Sequence, residues 1–148
     1  MSDRPIESSL HASPPTGANW PKMWGFETPT KRRILLVDDD ADMLALLRIW
    51  LTQTGFEVSV ARNGVEALSH VKHEPPDLIV TDHAMPRVTG LQLCEQLRAQ
   101  ANTRHIPIIM HSAHPLEPAD GLYDRAILKP VSLTQISDEI VSLLSTSC

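Results

Sequence analysis

An α/β domain built on a parallel sheet is the fold class that the sequence predicts, on two observations. Short, continuously apolar runs recur between residues 31 and 148, and amphipathic segments with helical spacing lie between them. The runs are too short for helices. They also lack the strict apolar and polar alternation of a strand with one wet face, so they suit strands buried on both faces. At 148 residues and 42% hydrophobic composition, the chain can bury one core of ordinary size and is too short for two typical domains.

The first thirty residues stand apart. Residues 1–30 carry Pro5, Pro14, Pro15, Pro21 and Pro29 among Ser, Thr and Gly without strand or helix periodicity. They read as an N-terminal extension lacking its own core, either disordered or docking through its apolar cluster of Trp20, Met23, Trp24 and Phe26. The domain proper spans 31–148.

Five strands are expected there, at Ile34 to Val37, Phe56 to Val60, Leu78 to Val80, Ile106 to Met110 and Ala126 to Leu128. After the first, Met43, Leu44, Leu47, Trp50 and Leu51 repeat at helical spacing, and Gly55 supplies a stop. Asn63 with Glu66 opens a second helix carrying Leu68 and Val71. Thr89 with Gln92 opens a third carrying Leu91, Cys94 and Leu97. Ser132 with Gln135 opens the last, with Ile136, Ile140, Leu143 and Leu144 on one face. The fourth connection differs: Pro115 and Pro118 interrupt it, so any helix between Ser112 and Lys129 must be short.

A net charge of −5 and a pI near 5.7 argue against nucleic acid or an anionic membrane as partner, since both call for a basic face. No apolar stretch approaches the length of a membrane span and no signal segment opens the chain, so a cytoplasmic protein is expected. Cys94 and Cys148 do not make a disulfide framework. The seven histidines lack zinc-site spacing, and His70 and His73 fall on a surface-like helix.

In an open α/β sheet, ligands bind beyond the carboxyl ends of the strands. The first run leads straight into Asp38, Asp39 and Asp40, the third ends at Asp82, the fourth is followed by His111 and Ser112, and the fifth ends at Lys129. Carboxylates converging in one crevice raise one another's pKa unless a cation neutralises them, and an all-oxygen set favours Mg²⁺. A carboxylate can itself attack phosphorus and form an aspartyl phosphate, with a metal, an ammonium and a hydroxyl stabilising the transferred group. A plainer role also fits some of these residues. Asp40 suits a helix N-cap better than a ligand position, Asp38 and Asp39 could cap as well, and Ser112 could be an ordinary loop hydroxyl.

The blocks ILLVDDD, DLIVTDHAMPRVTG, IPIIMHSA and AILKPVS, in this order and each at a strand end, resemble the signature blocks of bacterial response-regulator receiver domains over essentially all of Lys31 to Cys148. The resemblance implies a doubly wound, five-stranded parallel sheet of flavodoxin-like order 2-1-3-4-5, here with a shortened fourth helix. By resemblance Asp82 is the phosphoacceptor. Asp38 and Asp39 hold Mg²⁺ together with Asp82 and the backbone carbonyl of Ala84. Ser112 is the switch hydroxyl beside the small Ala113, Lys129 pairs with a phosphoryl oxygen, and the bond to Pro130 is cis. Met85, Pro86 and Gly90 match the loop after the phosphoacceptor. His83 and His114 fall close to the site, where Ala84 and His114 are expected to tune dephosphorylation.

The resemblance further implies a place in a phosphorelay, with phosphorylation by a sensor histidine kinase or a histidine phosphotransfer protein; with no second domain expected after the last helix, a stand-alone receiver signalling by contact with an unidentified downstream protein is expected. The resemblance implies no enzyme beyond catalysis of its own phosphorylation and dephosphorylation. One departure is clear. Three positions before Lys129 the family carries an aromatic switch residue, and here Ala126 stands there, unless Tyr123 replaces it from a shifted backbone. That departure and the proline-interrupted fourth segment favour the competing reading, a phosphorylation-independent adaptor. An aspartyl-nucleophile hydrolase would need a carboxylate two residues after Asp82, where Ala84 sits.

Overall fold

Each apolar run forms a strand: β1 (Arg33–Val37), β2 (Glu57–Ala61), β3 (Leu78–Asp82), β4 (Ile108–Ser112) and β5 (Arg125–Leu128). All neighbours pair in parallel in the order β2-β1-β3-β4-β5, as expected. These elements come from a computed structural model that describes residues 31–116 and 121–146. The N-terminal extension and its aromatic cluster lie outside the described residues.

Parallel pairing demands crossovers, supplied by α1 (Ala41–Gln53), α2 (Gly64–His73) and α3 (Gly90–Arg98), while α4 (Leu133–Thr146) follows β5. Strand alternation divides the apolar residues between two faces. Ile34, Leu36, Val80, Ile109 and Ile127 pack with Leu44, Leu47 and Leu51 of α1 and with Ile136 and Ile140 of α4. On the other face Leu35, Val37, Ile79, Ile108 and Met110 pack with Ala67 and Val71 of α2 and with Leu93, Cys94 and Leu97 of α3. The central strands β3 and β4 are buried at every position, which is why their sequence reads as a continuous apolar run. No described helix is long and apolar enough to cross a membrane.

The helix starts follow their caps. Asp40 accepts from the backbone N–H groups of Asp42 and Met43, and this is the capping role that its position suggested. Thr89 and Gln92 form a reciprocal capping box, and Ser132 accepts from Gln135 N–H. At α2 the box is offset by one residue: Asn63 accepts from Glu66 N–H, whereas the Glu66 carboxylate accepts from Arg62 N–H.

Two strands are shifted from the expected runs. β4 starts at Ile108 because Ile106 closes a turn by donating to Thr103 C=O and Pro107 has no N–H to give, so His111 and Ser112 are its last two residues rather than residues beyond it. β2 starts at Glu57 because Phe56 N–H is spent on Leu51 C=O at the end of α1.

The fourth connection carries no helix at residues 113–116 and 121–124; residues 117–120 lie outside the described set. Arg98 at the end of α3 ties its far end down. Its Nε donates to the carbonyls of Gly121 and Leu122 at 2.9 and 3.2 Å, Nη1 to those of Arg104 and Ile106 at 2.6 and 2.7 Å, and Nη2 to the Asp124 carboxylate at 3.0 Å. Asp124 in turn accepts from Ile108 N–H at 2.8 Å. One planar fork thus joins α3, the entry to β4 and the entry to β5. Arg98→Ala strands several carbonyls together and should cost about 3 kcal/mol in denaturant unfolding, with faster amide exchange at Ile108 and Asp124. Arg98→Lys should recover little, because an ammonium cannot span the fork.

Candidate metal and phosphoacceptor site

The pleat decides which side chains meet beyond the sheet. Asp38 continues the alternation of Ile34 and Leu36, Asp82 that of Leu78 and Val80, and Lys129 that of Ile127, so all three belong to the face covered by α1 and α4. Asp38 and Asp82 are only 4% and 8% exposed. One carboxylate oxygen each of Asp38, Asp39 and Asp82 lies within 4.8 Å of the others, and Asp39 is exposed to solvent. Lys129 Nζ stands 3.3 Å from Asp38 Oδ2 and 3.4 Å from Asp82 Oδ1.

Asp38 and Asp82 are each also fixed by a backbone donor. Asp40 N–H donates to Asp38 Oδ1 and His83 N–H to Asp82 Oδ1, both at 2.9 Å. Burial, followed by the Asp82 charge, raises the Asp38 carboxyl above its ordinary value, against the opposing pull of Asp40 N–H and Lys129. Burial alone would lower the Lys129 pKa, but Asp38 and Asp82 outweigh it and hold the ammonium above its usual range.

Three carboxylates against one ammonium leave the cluster short of positive charge. All the donors are oxygens, one of them open to water, and this donor set fits a hard divalent cation such as Mg²⁺. Among the described residues no other cluster of this kind occurs. Ala84 lies exposed in the loop between β3 and α3, and the Lys129–Pro130 bond is cis, as the resemblance implies.

Ser112 is placed differently. Its position in β4 puts it on the opposite face from Asp82, and its hydroxyl is held locally, donating to His114 C=O at 2.7 Å and accepting from His114 N–H at 3.1 Å. Beside it opens a cleft of about 230 Å³ lined by Ser112, Pro115, Leu116, Ala126 and Leu128. Tyr123 is not among the residues that line it and packs, like Leu116 and Leu122, against the α2 and α3 core. One residue escaped sequence reasoning: Arg98 acts through main-chain carbonyls that no motif marks. His111, placed at a strand end by the sequence but given no role there, is buried beside the site. Cys94, free and buried, has its thiol pushed up to about 12 chiefly by burial and takes no part.

With the acidic trio, the lysine and the 2-1-3-4-5 sheet in place, the class is defined: the chain belongs to the response regulator receiver domain family, whose pattern matches residues 34–140. Aspartate phosphorylation and Mg²⁺ at an acidic pocket are general features of that family. In sequence it is 37% identical over 119 residues to the probable transcriptional regulator ycf27 of Porphyra purpurea, covering 77% of this chain and 48% of that protein. It is 34% identical over 121 residues to the alkaline phosphatase synthesis transcriptional regulatory protein PhoP of Bacillus subtilis, covering 78% and 50%. The chain thus spans about half the length of these curated relatives.

In structure it is similar to the receiver domain of a signal transduction histidine kinase from Syntrophus aciditrophicus, with TM-score 0.69, 30% identity and coverage of 77% and 90%. It is also similar to the response regulator TrrA of Thermotoga maritima in complex with Mg²⁺ and BeF, with TM-score 0.69, 28% identity and coverage of 76% and 98%.

Proposed function

We propose that Asp82 accepts a phosphoryl group from a sensor histidine kinase or a histidine phosphotransfer protein, with Mg²⁺ held by Asp38, Asp39, Asp82 and the Ala84 carbonyl. The observation that carries this reading is the convergence of three carboxylates within 4.8 Å with Lys129 at 3.3 and 3.4 Å from two of them. Oδ1 of Asp82 already takes the His83 N–H and the Lys129 ammonium, so we assign the attack to Oδ2. Oδ2 bonds to phosphorus while the donor's P–N bond breaks and its electron pair returns to the imidazole. Bound Mg²⁺ supplies the positive charge that the carboxylates and the phosphoryl oxygens require. Lys129 then pairs with a phosphoryl oxygen, and Ser112 Oγ exchanges His114 for another, releasing the turn at the head of the fourth connection.

Output runs through protein contact at the face from Ser112 to Asp124, where Ala126 leaves the cleft open. With Mg²⁺ and a small acyl phosphate, intact mass should show one added phosphoryl group in the wild-type protein and none in Asp82→Asn. Amide spectra with Mg²⁺ and beryllofluoride should shift around Ser112. The competing adaptor reading is favoured by Ala126 and by the absence of a helix in the described parts of the fourth connection. It predicts no added mass and no shift.

A further inference from the structure

His111 is the one buried histidine of the sheet, and the phosphoacceptor chemistry described so far leaves it without a task. It pairs in register with Asp82 across β3 and β4 and alternates with Ile109, so its ring lies on the same α1-facing side as Asp38, Asp82 and Lys129. It is 3% exposed, and its Nε2 is buried without a hydrogen-bond partner among the described residues. A buried polar atom left unpaired is costly and calls for an explanation.

The surroundings supply one. His111, Asp38 and Asp82 line a small cavity of about 10 Å³ whose other walls include Leu44, Leu47 and Val80. That space is close to the minimum that holds one water molecule, and a buried water needs two to four polar partners. Here three groups are offered: an imidazole nitrogen and two carboxylates.

We propose that His111 is a positioning residue of the phosphoacceptor site, acting through a single water held in this cavity: Nε2–H donates to the water, and the water donates to the Asp38 and Asp82 carboxylates. This inference rests on the phosphoacceptor reading for its consequence and on the cavity for its geometry. The backbone donors and Lys129 fix Asp38 and Asp82 from the rim and the loops, and the water fixes them from beneath, where α1 closes the core. Groups that orient metal-binding carboxylates from behind commonly carry a tenfold or larger share of metal affinity. The imidazole serves this role in its neutral Nε2–H form.

The test has two arms. In the wild-type protein without metal, nuclear Overhauser transfer from a long-lived water to the His111 ring, with the ring nitrogens reporting an Nε2–H tautomer, is the expected result. A dry ring or the opposite tautomer overturns the proposal whatever the protein does with phosphate. In the second arm, His111→Leu should weaken Mg²⁺ binding, measured by calorimetry, roughly tenfold. It should slow acyl phosphate labelling similarly with thermal stability kept or raised, and His111→Gln should recover part of both. His111→Leu with wild-type Mg²⁺ affinity overturns the positioning role. Water present in a wild-type protein that neither binds Mg²⁺ nor takes a phosphoryl group overturns the phosphoacceptor reading instead, and with it the consequence drawn for His111.

Discussion

Gly90→Ala should unfold this domain more readily than any other single methyl insertion at the site, by about 3 kcal/mol, the upper end for overpacking a tight interior. Gly90 opens α3, and its N–H donates 2.9 Å to His83 C=O, closing the loop that follows Asp82. A Cβ there would run into the Asp82 carbonyl and sit 2.8 Å from Met110 Sδ. The methionine can move, but the carbonyl belongs to the β3 ladder and cannot move without taking Asp82 with it. Urea unfolding should therefore show the stability loss, and acyl phosphate labelling of the folded fraction should show a second loss at Asp82. Gly55 provides the contrast. Its φ of +105 is the reason for glycine there, and nothing lies within 4 Å of an added Cβ, so Gly55→Ala should cost only about 1 kcal/mol and leave labelling unchanged. If Gly90→Ala unfolds like Gly55→Ala, the loop yields and Gly90 does not constrain Asp82.

The same contrast separates what the sequence made legible from what it did not. Strand identity was readable because β1, β3 and β4 are covered on both faces, which forces apolar residues at nearly every position. The carboxylate trio and Lys129 were readable because strand ends deliver them to one rim, and Asp40 because a cap is a local device. Boundaries near Phe56 and Ile106 were not, since both residues are buried and apolar yet spend their N–H groups on turns before the strand begins. The tie from Arg98 to Gly121, Leu122 and Asp124 crosses more than twenty residues and uses mostly main-chain carbonyls, which carry no residue signature. Ser112 was readable as a hydroxyl at the right place. Its engagement with His114 was not, because that depends on the path of a connection that carries no helix in its described residues.

Removing the lysine should have the second large effect. In metal-free protein at neutral pH, Lys129→Met is expected to lose about 3 kcal/mol in denaturant unfolding, because Asp38 and Asp82 would face each other with no ammonium between them. The low end of the range for breaking a buried pair applies, since Lys129 keeps 21% of its side chain in water. The pH dependence follows from Asp38. Its carboxyl is already raised by burial and by Asp82, and losing Lys129 raises it further. A carboxyl with a folded-state pKa above its unfolded one favours the fold at low pH and loses that contribution as pH rises through the folded value. The deficit of Lys129→Met should therefore be small near the ordinary carboxyl pKa and grow toward neutrality. Wild-type protein should lose the Lys129 contribution only as pH climbs past the ordinary lysine value of 10.5, because the folded-state pKa lies above it. Mg²⁺ should return much of the neutral-pH deficit by binding the folded state alone, and Asp38→Asn should stabilise the metal-free protein by removing one of the two opposed charges. A Lys129→Met deficit that is the same at pH 5 and pH 7, with and without Mg²⁺, would show that the lysine acts by packing its stem and not as the counter-charge of the site.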